Sequence, residues 1–129
     1  MQTFSLLNKT RAKVPAVPFR KIKDSVLGRS YELSVALISA SEARALTRRL
    51  KKKDRASNVL AFPLGKKSGE VVLCPATARA EAAAYGYAPR DFLAYLFIHG
   101  LLHLKGLRHG ATMEKLERRI LKRFGFHPQ

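Results

Sequence analysis

His99-Gly100-Leu101-Leu102-His103-Leu104-Lys105-Gly106-Leu107-Arg108-His109 is the stretch from which the rest of the chain can be read, and it holds three of the four histidines. The segment from Pro89 to Leu104 predicts a helix. His99 and His103, four apart, then lie about 40° apart on one face at roughly 100° per residue. Two imidazoles so placed can share one metal ion. Gly106 stands where the helix would end, and glycine takes the left-handed conformation of a helix C-terminus without steric cost. The turn it permits can return His109 to the same ion. Three protein nitrogens leave a fourth position for water, the pattern of a catalytic rather than a closed structural zinc site. Leu96, Phe97, Ile98, Leu101, Leu102 and Leu104 make the helix apolar nearly all round, so it should be buried. Buried imidazoles need partners.

A histidine pair four apart on a helix also occurs on solvated faces and in hydrogen-bonded cores. The glycine and the third histidine, in H-x3-H-x5-H spacing, set this stretch apart. Metzincin proteases share that spacing in H-E-x-x-H-x-x-G-x-x-H. Here their glutamate is Gly100, so the general base of a zinc protease is missing from its place.

Composition bounds the rest. A chain of 129 residues predicts one domain, 1–129, with a modest core. No apolar run approaches the roughly 20 residues of a membrane span. Met1 to Thr10 lacks a basic segment followed by an apolar one, so no secretory signal is expected. One cysteine, Cys74, cannot form an internal disulfide, which suits a reducing cytoplasm. A small buried hydrophobe is its expected role, and a fourth metal ligand the alternative. Twenty-five Lys and Arg against nine Asp and Glu give a net charge of +16. Such a surface attracts polyanions, and nucleic acid is the natural partner. An anionic membrane is the rival, but no helix pairs a clean basic face with a bulky aromatic one.

Thr3 to Leu7 reads as a strand, and Asn8 to Pro18 as a basic loop. Pro18 opens a helix with Phe19, Ile22, Val26 and Leu27 at helical spacing, ended by Gly28. Tyr31 to Ile38 alternates apolar and polar as a half-buried strand. Ser39 or Ser41 then caps a helix striped by Ala43, Leu46 and Leu50, which runs out into Lys51, Lys52, Lys53 and Arg55. Asn58 to Phe62 is a strand stopped by Pro63. Leu64 to Gly69 is a turn, and Glu70 to Cys74 a strand pairing back as a hairpin. Pro75 starts an alanine-rich helix, Pro89 the histidine helix, and Thr112 or a neighbour the last helix. That last helix buries Met113, Leu116, Ile120 and Leu121 and stops at Gly125, leaving His127 in a loose tail. The order β-α-β-α-β-β-α-α-α fits an α+β or mixed α/β sandwich around one sheet, with the histidine helix at its centre.

The residues resemble a family. His99 to His109 is similar to the motif H-G-x-L-H-L-x-G-x-D-H of the YbeY endoribonucleases, or rRNA maturation factors; His99, Gly100, Leu102, His103, Leu104, Gly106 and His109 match it. Upstream, Leu46 to Pro63 resembles the family's L-N-x-x-Y-R-x-K-D-x-x-T-D/N-V-L-S-F-P, and Gly69 to Leu73 its G-D-I-x-I strand. The likeness spans about Leu33 to Phe124. It implies an α+β fold with one mixed four-stranded sheet and helices packed on it. It also implies a metal-dependent endoribonuclease of single-stranded RNA, acting in small-subunit ribosomal RNA maturation and ribosome quality control, with zinc on His99, His103 and His109. A small-subunit ribosomal protein is a further implied partner. The chain departs from the pattern at two positions. Arg108 replaces the aspartate before the last histidine, and arginine can accept neither a proton nor a hydrogen bond. Lys51 aligns with the family arginine thought to face the phosphate, keeping the charge without the bidentate fork.

The leading reading is phosphodiester hydrolysis. Lys51 would be the catalytic cation, stabilising developing charge, and Lys51, Lys53 and Arg55 would hold RNA. No base is evident. Glu70 is the carboxylate of a matched block, but a strand or salt-bridge role suits it better. The alternative is a non-catalytic RNA-binding or ribosome-assembly protein whose metal or histidine cluster is structural, a reading that Arg108 favours. A small zinc protease is the third, opposed by Gly100.

Overall fold

Leu33, Val35 and Leu37 alternate with Glu32, Ser34 and Ala36, and the first three are at most 2% exposed. They make β2 (Glu32–Leu37) the strand on which the sheet is laid out. In the computed structural model, which describes residues 3–51 and 58–128 (of Lys51 the backbone only), β1 (Phe4–Asn8) and β4 (Ser68–Leu73) flank β2 in parallel. β3 (Val59–Gly65) pairs antiparallel with β4, giving a mixed four-stranded sheet in the order β1-β2-β4-β3. The helices are α1 (Phe19–Leu27), α2 (Ala40–Lys51), α3 (Pro75–Ala82), α4 (Pro89–Leu104) and α5 (Ala111–Arg123), with a 3-10 turn at Ala83–Tyr85. This is the α+β architecture expected.

The periodicities explain the layers. α4 is apolar nearly all round, and Phe97, Ile98 and Leu101 are fully buried. It touches β3, β4, α1, α3 and α5, and so sits at the centre of the main core. Among the described residues α2 covers the opposite face of the sheet, its Ala43 packing with Ile38, Leu60, Val72 and Cys74. Ser39 is its cap: the Ser39 hydroxyl accepts the Glu42 N–H at 3.2 Å. Cys74 is buried in that second cluster, its Sγ 3.0 Å from the Thr77 hydroxyl. The fully buried Lys23 donates to Asp24 Oδ1 and to the Arg29 carbonyl, both at 3.1 Å, so its charge is matched where it lies.

Two expectations change. Pro63 does not stop its strand: β3 runs on to Gly65, and only Lys66 and Lys67 make the turn. β3 is an edge strand, where a missing N–H can face away from the ladder, and the register shifts locally between Pro63 and Gly65. The tail is also tied down. Phe126 is buried, the Arg90 guanidinium lies 5.1 Å from its ring centroid, and the His127 N–H donates to Asp91 Oδ2 at 3.1 Å. An apolar side chain with a core to enter holds the segment that charge and glycine alone would have left free. No helix among the described residues is long and apolar enough to cross a membrane.

Candidate metal centre

The last turn of α4 builds the site. Lys105 closes the helix, and Gly106 takes φ 99°, the left-handed region that glycine enters freely. The Gly106 N–H donates to the His103 carbonyl at 2.9 Å and the Leu107 N–H to the Leu102 carbonyl at 3.0 Å, the paired bonds of a Schellman turn. Leu107 packs against the core and fixes the exit direction. The chain therefore doubles back, and His109 comes over the helix face that carries His99 and His103.

The three rings converge. Their centroids lie 4.6 Å (His99–His103), 4.9 Å (His99–His109) and 5.1 Å (His103–His109) apart. One ligand nitrogen from each lies within 4.8 Å of the others, and His99 Nε2 is 3.1 Å from His103 Nε2. Tetrahedral zinc with Zn–N bonds of about 2.0–2.1 Å needs nitrogens roughly 3.3 Å apart. One pair is already at that spacing, and small ring rotations bring in the third. The donor set fits a divalent ion.

Behind the rings stands Glu117, 4% exposed on α5, with Oε2 2.5 Å from His99 Nδ1. A carboxylate only accepts, so His99 Nδ1 carries the proton and its Nε2 lone pair faces the other imidazoles. This carboxylate–histidine pairing is the arrangement that orients metal-ligating histidines. Sequence reading missed Glu117. Its signal was there: Glu117 is four residues after Met113 and four before Leu121, on the apolar stripe of an amphipathic helix. A charged residue on the buried stripe calls for a partner.

Charge and solvent act on the same cluster. Burial, then repulsion from His99 and His109, holds His103 below the ordinary histidine range, against the opposing pull of the Leu107 backbone and Glu117. The imidazole thus stays neutral, as a ligand must be, further into the acid range. The sign for folding follows. A depressed folded-state value makes protonation cost stability, a cost that grows as pH falls through the unfolded value near 6.5. Tyr95, one turn before His99, has its phenol pushed up to about 12 by burial first, then by Glu117, Tyr87, Glu114 and Tyr85, so it remains a neutral ring at pH 7.

The histidines open onto a cleft of about 570 Å³ lined by Leu50, Val59, Leu60, Ala61, Phe62, His99, Gly100, His103 and His109. Gly100 explains why the protease glutamate has no place here. A Cβ at Gly100 would meet Val59 Cγ2 at 3.3 Å and Val71 Cγ1 at 3.4 Å, because α4 lies directly on β3 and β4. Glu70 follows the opposite face of the sheet, beside Lys9, Glu42 and Arg49, and does not line the histidine cleft. Cys74 is likewise outside the ligand group. Arg108 is exposed and has no hydrogen bond or ion pair among the described residues. Lys53 and Arg55 lie outside the described residues, as does the side chain of Lys51.

With this geometry in view, the likeness to known proteins is specific. A family profile, "Endoribonuclease YbeY", matches residues 7–125. This chain belongs to the YbeY family. Among its relatives, "Endoribonuclease YbeY" of Aromatoleum aromaticum is 35% identical over 127 residues, covering 92% of this chain and 82% of that protein. "Endoribonuclease YbeY" of Xylella fastidiosa is 35% identical over 135 residues, covering 89% and 84%. The fold is also that of TM1509 from Thermotoga maritima, solved in solution: the TM-score is 0.70 at 22% identity, over 92% of this chain and 87% of that one. The histidine cluster therefore lies within the residues that match the family, in a fold shared with TM1509.

Proposed function

We propose that this chain is a cytoplasmic, single-domain, metal-dependent endoribonuclease that cleaves single-stranded RNA in small-subunit ribosomal RNA maturation and ribosome quality control. The observation that carries the proposal is the convergence of His99, His103 and His109 with Glu117 behind them, in a member of the YbeY family. The three imidazoles hold one divalent ion. Zinc is the proposed occupant, since borderline nitrogen ligands with an open position suit it, although nickel, copper and iron accept the same ligands. Bound there, the ion supplies Lewis acidity toward a water molecule and a phosphoryl oxygen.

The chain's own residues do the rest. Glu117 fixes the His99 tautomer and ring plane. Val59, Leu60, Ala61 and Phe62 form an apolar wall that keeps bulk water from one side of the cleft, where electrostatic interactions gain strength. Leu50 lines that cleft, and Lys51, Lys53 and Arg55 follow it in the chain. We assign these cations to the RNA backbone, and Lys51 to the charge developing on the phosphorus oxygens. A small-subunit ribosomal protein is the proposed protein partner.

A second reading rests on two observations: among the described residues no carboxylate lines the cleft, and Arg108 stands exposed beside His109. In that reading the chain binds RNA without cutting it. Elemental analysis of untagged protein, followed by cleavage of a single-stranded RNA with and without chelator, separates the two. About one zinc per chain, lost in His103→Ala and His109→Ala, with chelator-sensitive cleavage, is the expected result. Metal-free protein after reconstitution would end the hydrolytic reading. Bound metal without cleavage would leave the binding one.

A further inference from the structure

The face of α4 that carries His99 continues toward the N-terminus as a row of aromatic rings. Tyr85 stacks on Phe92 with centroids 5.1 Å apart and planes 18° from parallel. Phe92 stacks on Tyr95 at 5.9 Å and 16°, and Tyr87 on Tyr95 at 5.6 Å and 23°. Tyr95 then meets the His99 ring at 6.0 Å and 32°. Three of these contacts are stacked, while Tyr87 is tilted by 39° to Phe92 and His99 by 32° to Tyr95. The core pair Phe19–Phe97 differs, crossing edge to face at 86°. Packing alone gives either geometry. A run of stacked tyrosine and phenylalanine rings that reaches a candidate metal ligand is a surface that unpaired bases can extend.

Exposure points the same way. Phe92 is 1% exposed and anchors the row, Tyr87 and Tyr95 are half-buried, and Tyr85 is 64% exposed. A large aromatic ring left that open on a chain of net charge +16 is available to a polyanion. Asp91, Glu114 and Glu117 are close enough to act on Tyr87 or Tyr95, with Arg118 the nearby cation. Phosphates are therefore not favoured along the row, and contact there must come through neutral bases.

We infer that Tyr85, Tyr87 and Tyr95 form a stacking platform for unpaired bases of an RNA strand whose backbone enters the cleft at His99, His103 and His109. The inference rests on the RNA reading above and adds to it where the bases lie. It also gives a physical source for a single-strand preference, because paired bases in a duplex do not offer their faces.

The chain has four tyrosines and no tryptophan, so three of its four intrinsic fluorophores lie in this row. The test titrates the full, metal-loaded chain with a ten-nucleotide oligoadenylate, checked intact after each titration, and with an abasic oligomer of the same length. Tyrosine emission and the anisotropy of end-labelled oligomer are read together. Oligoadenylate should bind and quench tyrosine, whereas the abasic oligomer should bind more weakly without quenching. Tyr85→Ala should weaken oligoadenylate roughly tenfold, leave abasic binding unchanged and keep the wild-type circular dichroism. Tyr85→Phe should bind as wild type, since it keeps the ring. If Tyr85→Ala binds oligoadenylate as wild type does, or if the abasic oligomer binds equally well, the platform is wrong while RNA binding stands. If wild type binds neither oligomer, the RNA reading falls and the platform with it.

Discussion

At the scale of single residues, the centre divides into groups that can touch the ion and one that cannot. Glu117 lies behind His99, and its carboxylate is occupied by the Nδ1 proton. Glu117→Gln keeps the shape but offers an amide in place of the carboxylate. Metal affinity is expected to fall about 10–100-fold with the fold intact, as measured by competition with a chromogenic chelator. Affinity unchanged from wild type would show that Glu117 only packs α5 against α4. The three histidines were legible because helix spacing and a turn glycine convert sequence distance into direction. Glu117 was not, because an acid among Glu114, Lys115, Arg118 and Arg119 looks like part of a solvated charged face until its place on the stripe is counted.

At the scale of elements, the position of α4 depends on how closely it lies on the sheet. Gly100 has 3.3–3.4 Å of clearance to Val59 and Val71, which a side chain would take up. Gly100→Val should force α4 away from β3 and β4 and cost about 1–3 kcal/mol in urea unfolding. It should also loosen the metal site, since two ligands ride on that helix. Unchanged stability would mean the helix can shift without loss. Helices were the most readable elements: Pro75 and Pro89 open α3 and α4 as expected, because proline at a first turn costs nothing. The hairpin was misread for a related reason. Proline interrupts most strands, but whether a strand lies at the edge of a sheet depends on neighbours far along the chain, which local sequence does not encode.

At the scale of the whole molecule, charge dominates. With +16 spread over 129 residues, RNA binding should be mostly electrostatic. If about six phosphates are neutralised, affinity should drop roughly a thousandfold between 50 and 200 mM salt, read from anisotropy titrations. A flat response would remove the electrostatic basis for RNA binding. Fold class, strand count and the centrality of α4 were readable from periodicity together with the family likeness. The anchored tail was not, because the burial of Phe126 requires a pocket built by residues more than thirty positions earlier, near Arg90.

All three imidazoles come from one run of eleven residues, while Glu117 comes from a different helix. A ligand set this local survives unfolding: a denatured chain can still wrap the same peptide around an ion. Binding to the unfolded state subtracts from what a ligand adds to stability, so the ion should raise the melting temperature by less than its native affinity implies. During synthesis, the nascent chain can pick up an ion once this short segment has left the ribosome, before α5, which follows it in the chain, has closed behind it.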